Sequence, residues 1–246
     1  MKLSDHLEHS GNWLFRWRSY LPLILLGMSL ASLREFKYPG GSRRWDLVWE
    51  VVSAMVGFLG VAIRAVVVGH AAARTSGRNT REQVADSLNT TGLYSIVRHP
   101  LYLGNTLMWI SVALFVESWS LAVIVLLVSS LYHERIIFAE EAFLEQKFDD
   151  TFRNWAAQTP TVWPKFSLWK SSSLPFQWRQ ALQREYLGLF GLVTTYLVAD
   201  VASDWFCLQE FELDPVWFTI WLMTLVMFVV VRFLRKRTRV LYVAGR

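Results

Sequence analysis

Apolar residues are gathered along this chain into runs, separated by segments rich in charge, glycine or proline. Residues 20–33 are uncharged, but 14 residues fall short of the roughly 20 that a spanning helix needs. Trp17 and Phe36 flank this run as interfacial residues. Residues 47–68 make a longer run broken only by Arg64, expected to snorkel to the surface one turn from a helix end. Residues 101–115 and 119–132 are two apolar legs joined by Val116-Glu117-Ser118, which predicts a tight helical hairpin. Backbone groups in lipid must be bonded within the segment, so both legs are read as helices. The helix is expected to continue over 133–152 and to end at Thr159-Pro160 and Trp163-Pro164, because proline cannot extend the ladder. Residues 167–175 read as a polar linker, and 185–201 and 216–233 as two further spans.

These elements predict an all-α, polytopic membrane bundle of about six spans. Three parts follow: 1–68, an amphipathic anchor and two spans; 69–166, a core of loop, hairpin and cofactor helix; and 167–246, a linker and two spans with a basic tail. The first 19 residues, with Trp13, Phe15, Trp17, Arg16 and Arg18, read as an interfacial anchor. A cleaved signal peptide competes for the first run, since Ser29-Leu30-Ala31 resembles a cleavage site, but the long mixed-charge region before it opposes that reading.

Composition sharpens the class. The chain has 246 residues, 53% of them hydrophobic and 15% aromatic, with 18% charged and thirteen tryptophans. A typical globular chain carries about 25% charged residues, and tryptophan collects at membrane boundaries. The net charge of +5 lies beside apolar runs, which points to anionic lipid headgroups rather than nucleic acid. A single cysteine, Cys207, excludes an internal disulfide and a multi-cysteine metal site. Basic residues in the tail (Arg232, Arg235, Lys236, Arg237, Arg239, Arg246) and before the hairpin (Arg74, Arg78, Arg81, Arg98) oppose the acidic connection of Asp204, Glu210, Glu212 and Asp214. Both termini and the hairpin's polar ends are therefore expected in the cytoplasm. The loop holding Arg34, Lys37, Arg43 and Arg44 runs against that orientation.

Candidate chemistry sits at the two ends of the hairpin. Arg98-His99-Pro100 precedes the first leg, with Tyr102 and Gly104 just inside it; His133-Glu134-Arg135 and Glu140-Glu141 follow the second. A hairpin returns both clusters to one side. Pro100 suits the first turn of a helix. Adjacent acids on a helix point about 100° apart, so one can face a pocket while the other meets water or Arg135. Phe138 and Phe143 flank the pair, and a partly buried acid needs a cation or donor.

The run Gly92-Leu93-Tyr94-Ser95-Ile96-Val97-Arg98-His99-Pro100-Leu101-Tyr102-Leu103-Gly104 resembles the signature of the isoprenylcysteine carboxyl methyltransferase and phospholipid methyltransferase superfamily. Arg135, Glu140-Glu141, Leu144, Phe148 and Pro160 resemble its second half. The chain departs from that pattern at Asp149, Phe152 and Trp155, where the family often has a glycine and two tyrosines, and at Thr159 before Pro160. The resemblance implies a membrane methyltransferase that uses S-adenosylmethionine and takes a lipophilic acceptor from the bilayer. It also implies a cofactor pocket formed by Tyr94, Arg98, His99, Tyr102, Gly104, Glu140 and Glu141. Acids suit the cofactor's ammonium and hydroxyl groups, Arg98 or His99 its carboxylate, and aromatics its cation and adenine. Arg135 is the candidate to orient an anionic acceptor. His99 or Glu140 is the candidate base for an amine. Two other readings stand beside this one. A sterol-reductase-like enzyme using NADPH usually has a cysteine near the acids, where this chain has Ala142 and Phe143. A non-catalytic scaffold or carrier is the other, and a carrier is expected to place charges mid-span, often in repeats.

Overall fold

A computed structural model of the chain describes residues 3–18, 20–33, 43–72, 75, 84–209, 211 and 213–243; for residues 3–5, 21, 22, 43, 44, 207 and 208 the description is of the backbone. The expectations for Arg34, Lys37, Arg74, Arg78, Arg81, Glu210, Glu212 and Arg246, and for the side chains of Arg43, Arg44 and Cys207, lie outside the described residues.

Among the described residues, seven α-helices carry the fold: α1 (Leu3–Trp17), α2 (Leu21–Ser32), α3 (Arg43–His70), α4 (Pro100–Phe115), α5 (Trp119–Gln158), α6 (Trp178–Leu208) and α7 (Pro215–Arg237). Four contain stretches long and apolar enough to cross a membrane: Trp45–His70, Trp119–Gln158, Trp178–Phe206 and Pro215–Arg237. The apolar stretches of α2 and α4, Leu23–Ser32 and Pro100–Phe115, are shorter. At ~1.5 Å per residue, α4 reaches about 24 Å of a ~30 Å hydrocarbon layer. Among the described residues, four of the about six expected spans have full spanning length, and α2 and α4 are shorter apolar helices.

Local chemistry explains the boundaries. Pro100 opens α4 directly after His99, as its missing N–H allows. The hairpin turn uses Glu117 in the left-handed region (φ 54°), and the Ser118 hydroxyl then caps α5 by accepting from the Leu121 N–H at 3.3 Å. Asp214 caps α7 in the same way, from the Val216 N–H at 2.7 Å, with Pro215 next. Asp149 interrupts α5 with φ 43° and ψ −122°, so its last turns bend away from the long axis.

The core lies where α3, α4 and α6 meet, with α7 against α6 and α1 against α5. α3 and α4 cross closely through glycines. A Cβ on Gly104 would lie 2.6 Å from Arg64 Cγ and 2.8 Å from the Gly60 carbonyl oxygen. Phe115, Tyr196 and Trp217 stack in the centre, where the Tyr196 hydroxyl meets Ser111 Oγ at 2.6 Å. The amino-terminal segment is more than a lipid-bound anchor: Gly11 of α1 seats against the Arg135 carbonyl and the Ala139 side chain of α5.

Candidate active site

The hairpin returns its two polar ends to one place, because α5 runs on past its apolar leg and stands beside the start of α4. His99 lies between the two acids. Its Nε2 is 2.8 Å from Glu141 Oε1 and its Nδ1 3.6 Å from Glu140 Oε2. Arg98 Nη1 donates to Glu141 Oε2 at 2.9 Å, and its Nη2 reaches the Thr161 hydroxyl. The Tyr102 hydroxyl donates to Glu140 Oε1 at 2.8 Å. The acid pair divides as adjacent helical positions should: Glu140 faces the cavity, while Glu141 turns to Arg98 and His99 rather than to water or Arg135.

Electrostatics bias the imidazole towards holding a proton. Burial alone would lower the His99 pKa, but the hydrogen bonds and negative charge of Glu140 and Glu141 outweigh it and raise it above the ordinary value. Burial, with Glu140 nearby, raises the Tyr94 phenol well above its usual range. Arg98 and His99 thus face the two carboxylates of Glu140 and Glu141. The buried Nε of Arg98 makes no hydrogen bond among the described residues.

Backbone bonds lock the Arg98-His99 segment to the chain after α5. The Arg98 N–H donates to the Pro160 carbonyl, and the Lys165 N–H to that of Ile96, each at 2.9 Å. Trp155 Nε1 donates to the Tyr94 carbonyl at 3.2 Å. The bend at Asp149 precedes Phe152 and Trp155, so these aromatics belong to the turned end of α5 that meets the Gly92–His99 segment.

A cavity of about 1030 Å³ opens from this network into the bundle. Tyr94, Arg98, His99, Tyr102, Glu140 and Trp155 line one part; Leu26, Met108, Trp109, Val112, Phe190 and Leu192 line another. Of the residues singled out from sequence, Glu141, Gly104 and Arg135 are not in this lining. Glu141 acts on Arg98 and His99, Gly104 lies in the α3–α4 crossing, and Arg135 presents its backbone to α1.

Sequence reasoning missed one arrangement. Arg64 does not snorkel: its Nε and Nη2 donate to the two carboxylate oxygens of Glu185 in α6 at 2.8 and 2.9 Å, and its Nη1 to Asn105 Oδ1 at 2.6 Å. Arg64 and Asn105 also line the cavity. The available signal was an arginine and a glutamate, each inside or bordering an apolar run, since charges in lipid seek one another. His133, in the second polar cluster of the sequence but given no role there, has a structural one. Its ring stacks between Tyr102 and Trp109, with centroids 4.9 and 5.1 Å apart, and holds the Tyr102 side of the cavity.

The comparisons with known proteins agree with this geometry. Residues 52–151 match the family described as phospholipid methyltransferase. The chain is 32% identical over 158 residues to the nickel-cobalt-cadmium resistance protein NccN of Alcaligenes xylosoxydans xylosoxydans, covering 64% of this chain and 67% of that protein. It is 31% identical over 163 residues to the cobalt-zinc-cadmium resistance protein CzcN of Cupriavidus metallidurans, covering 66% and 70%. No solved structure matches. The matched span contains both ends of the hairpin and the acid pair, and the chain belongs to the phospholipid methyltransferase family, within the superfamily of integral membrane methyltransferases.

Proposed function

We propose that this protein transfers a methyl group from S-adenosylmethionine to a lipophilic acceptor at the cytoplasmic face of the membrane. One observation supports the reading most directly: a single cavity has ionisable residues in one part of its wall and apolar helix faces in another. The donor set suits the cofactor. Its amino-acid group needs an acid and a cationic donor, and Glu140 and the unpartnered Arg98 Nε are both at hand. Tyr94, Trp155 and Tyr102 offer aromatic surface for the sulfonium and adenine. When bound, the cofactor supplies an electrophilic methyl group.

The chain's own residues then align the partners and keep water out. Tyr102 holds Glu140 in place by its hydroxyl, and Glu141 holds Arg98 and His99. His99 has both ring nitrogens near carboxylates, which favours its protonated form and disfavours it as a base. An amine acceptor would therefore yield its proton to Glu140, whereas an anionic oxygen needs only orientation. Arg135 lies outside the lining, whereas Arg98 is within it and is better placed for that orientation. The cytoplasmic assignment rests on Arg235, Lys236 and Arg237 at the end of α7, the end that shares its side with the start of α6.

The test is transfer of labelled methyl from S-adenosylmethionine into a membrane lipid extract by the reconstituted protein. Transfer is expected to fall roughly 100-fold in His99→Ala and Glu140→Ala, since small misplacements of reacting groups cost that much. Absence of both transfer and cofactor binding in the native protein, or indifference to both substitutions, would overturn the reading. The relatives' names supply a cellular setting: growth in nickel, cobalt or cadmium with native protein or Glu140→Ala asks whether methyl transfer contributes to metal resistance.

A further inference from the structure

The segment between α5 and α6 is not the polar linker its serines suggest. Residues 159–179 read TPTVWPKFSLWKSSSLPFQWR, with five aromatic side chains (Trp163, Phe166, Trp169, Phe176 and Trp178), three basic residues (Lys165, Lys170 and Arg179) and no acid. The large apolar side chains face outward. Trp163 is 82% exposed and Phe166 75%, with Val162, Trp169, Phe176 and Trp178 also exposed. Lys165, Lys170 and Arg179 are exposed among them. Water is a poor solvent for such a surface, and an apolar patch of this kind marks a contact.

Its position says with what. The Gln177 N–H donates to the Gly69 carbonyl at 2.8 Å, and Phe176 packs on His70 with ring centroids 5.3 Å apart. Gly69 and His70 end the span of α3, and Trp178 begins that of α6. The segment thus joins the bundle where two membrane-crossing helices end, at the depth where tryptophan and basic side chains settle together. Its other end is fastened to the candidate site. Besides the Pro160–Arg98 and Ile96–Lys165 bonds, the Gly92 N–H donates to the Lys170 carbonyl at 2.9 Å, and the Lys170 N–H to Ser95 Oγ at 2.9 Å.

We propose that residues 160–179 form an interfacial strap that docks on the anionic headgroup surface of the bilayer carrying the protein, and that this docking holds the Gly92–His99 segment in place. Apolar side chains enter the headgroup boundary while Lys165, Lys170 and Arg179 meet lipid phosphates. The cofactor-side wall is then braced by lipid, so its order depends on lipid charge. This rests on the reading of the chain as membrane-spanning and not on methyl transfer.

The test uses the full-length protein in nanodiscs of phosphatidylcholine with or without phosphatidylglycerol. Spin labels are introduced one at a time as Trp163→Cys and Phe166→Cys in a Cys207→Ser background, with Asp150→Cys as a water-facing control. Accessibility to oxygen against a water-soluble nickel chelate is expected to place 163 and 166 at the headgroup boundary and 150 in water. In Lys165→Gln/Lys170→Gln, docking is expected to weaken roughly fivefold per lysine in anionic discs and little in neutral ones. Labels at 163 and 166 as open to the chelate as that at 150, in both lipids, would overturn the strap. Boundary depth with no effect of lipid charge or of the lysines would overturn its electrostatic part. Both readouts stand whether or not the protein transfers methyl groups, so failure here is separable from failure of the proposed activity.

Discussion

Two polar networks face the same cavity, and they are built on opposite plans. Arg98, His99, Glu140 and Glu141 form a shared set in which each acid meets more than one partner, and all four side chains keep some contact with solvent. Arg64 and Glu185 form a two-pronged pair in which the carboxylate is the buried member, Glu185 being only 5% exposed. A shared set can lose one contact and rearrange. The two-pronged pair cannot, because Glu185 without Arg64 is a charge buried in an apolar bundle. The first suits a site that must exchange partners with a ligand; the second suits a fixed tie between α3 and α6.

Substitutions can break this contrast. The largest effect is expected for Arg64→Ala, which strands Glu185 and should cost about 3–5 kcal/mol, read as a fall in thermal stability in nanodiscs. Pairing it with Glu185→Leu should recover most of the loss; no recovery would mean that the pair is not a closed unit. Glu141→Gln, by comparison, should leave stability nearly unchanged but weaken cofactor binding about 10- to 100-fold, because it loosens both Arg98 and His99. Equal stability losses in the two variants would erase the distinction. Gly104→Ala should cost about 1–3 kcal/mol by pushing on Arg64 and the Gly60 carbonyl where α3 and α4 cross.

A smaller effect concerns pH. Because the His99 pKa is raised, its bonds contribute stability that is complete below the ordinary histidine value of about 6.5 and is lost as pH rises through the raised value. Nitrogen-15 spectra of labelled histidine should show the His99 midpoint above that of exposed histidines, moving down in Glu141→Gln. The smallest change is expected at Asp149, whose φ of 43° and ψ of −122° suit glycine better than aspartate. Asp149→Gly should stabilise by about 0.5–1 kcal/mol, or at least cost nothing. Clear destabilisation would show that the bend depends on the carboxylate.

The two networks were also unequally legible in the sequence. Arg98, His99 and the glutamate pair lie at the two ends of one hairpin, so apolar run lengths alone bring them together. Arg64 and Glu185 belong to helices separated by most of the chain, and no spacing rule joins them. The hairpin turn at residues 116–118, the end of α5 before Thr159 and the last two spans were readable because proline, serine and apolar length act locally. The seat of α1 on α5 was not, because an amphipathic helix reads the same against lipid as against protein. The bend at Asp149 was hidden for a related reason: a departure from glycine looks like loss of a turn, while the surrounding contacts keep the turn and impose it on aspartate.

The contact at Gly11 carries a practical corollary. The first helix brings Phe15 and Arg18 to the cavity while resting on α5 through a position where even one methyl group would collide with the Arg135 carbonyl. The opening residues are therefore a stave of the reaction vessel. A bulky side chain placed at Gly11 is expected to disturb the chamber as well as the seat of α1.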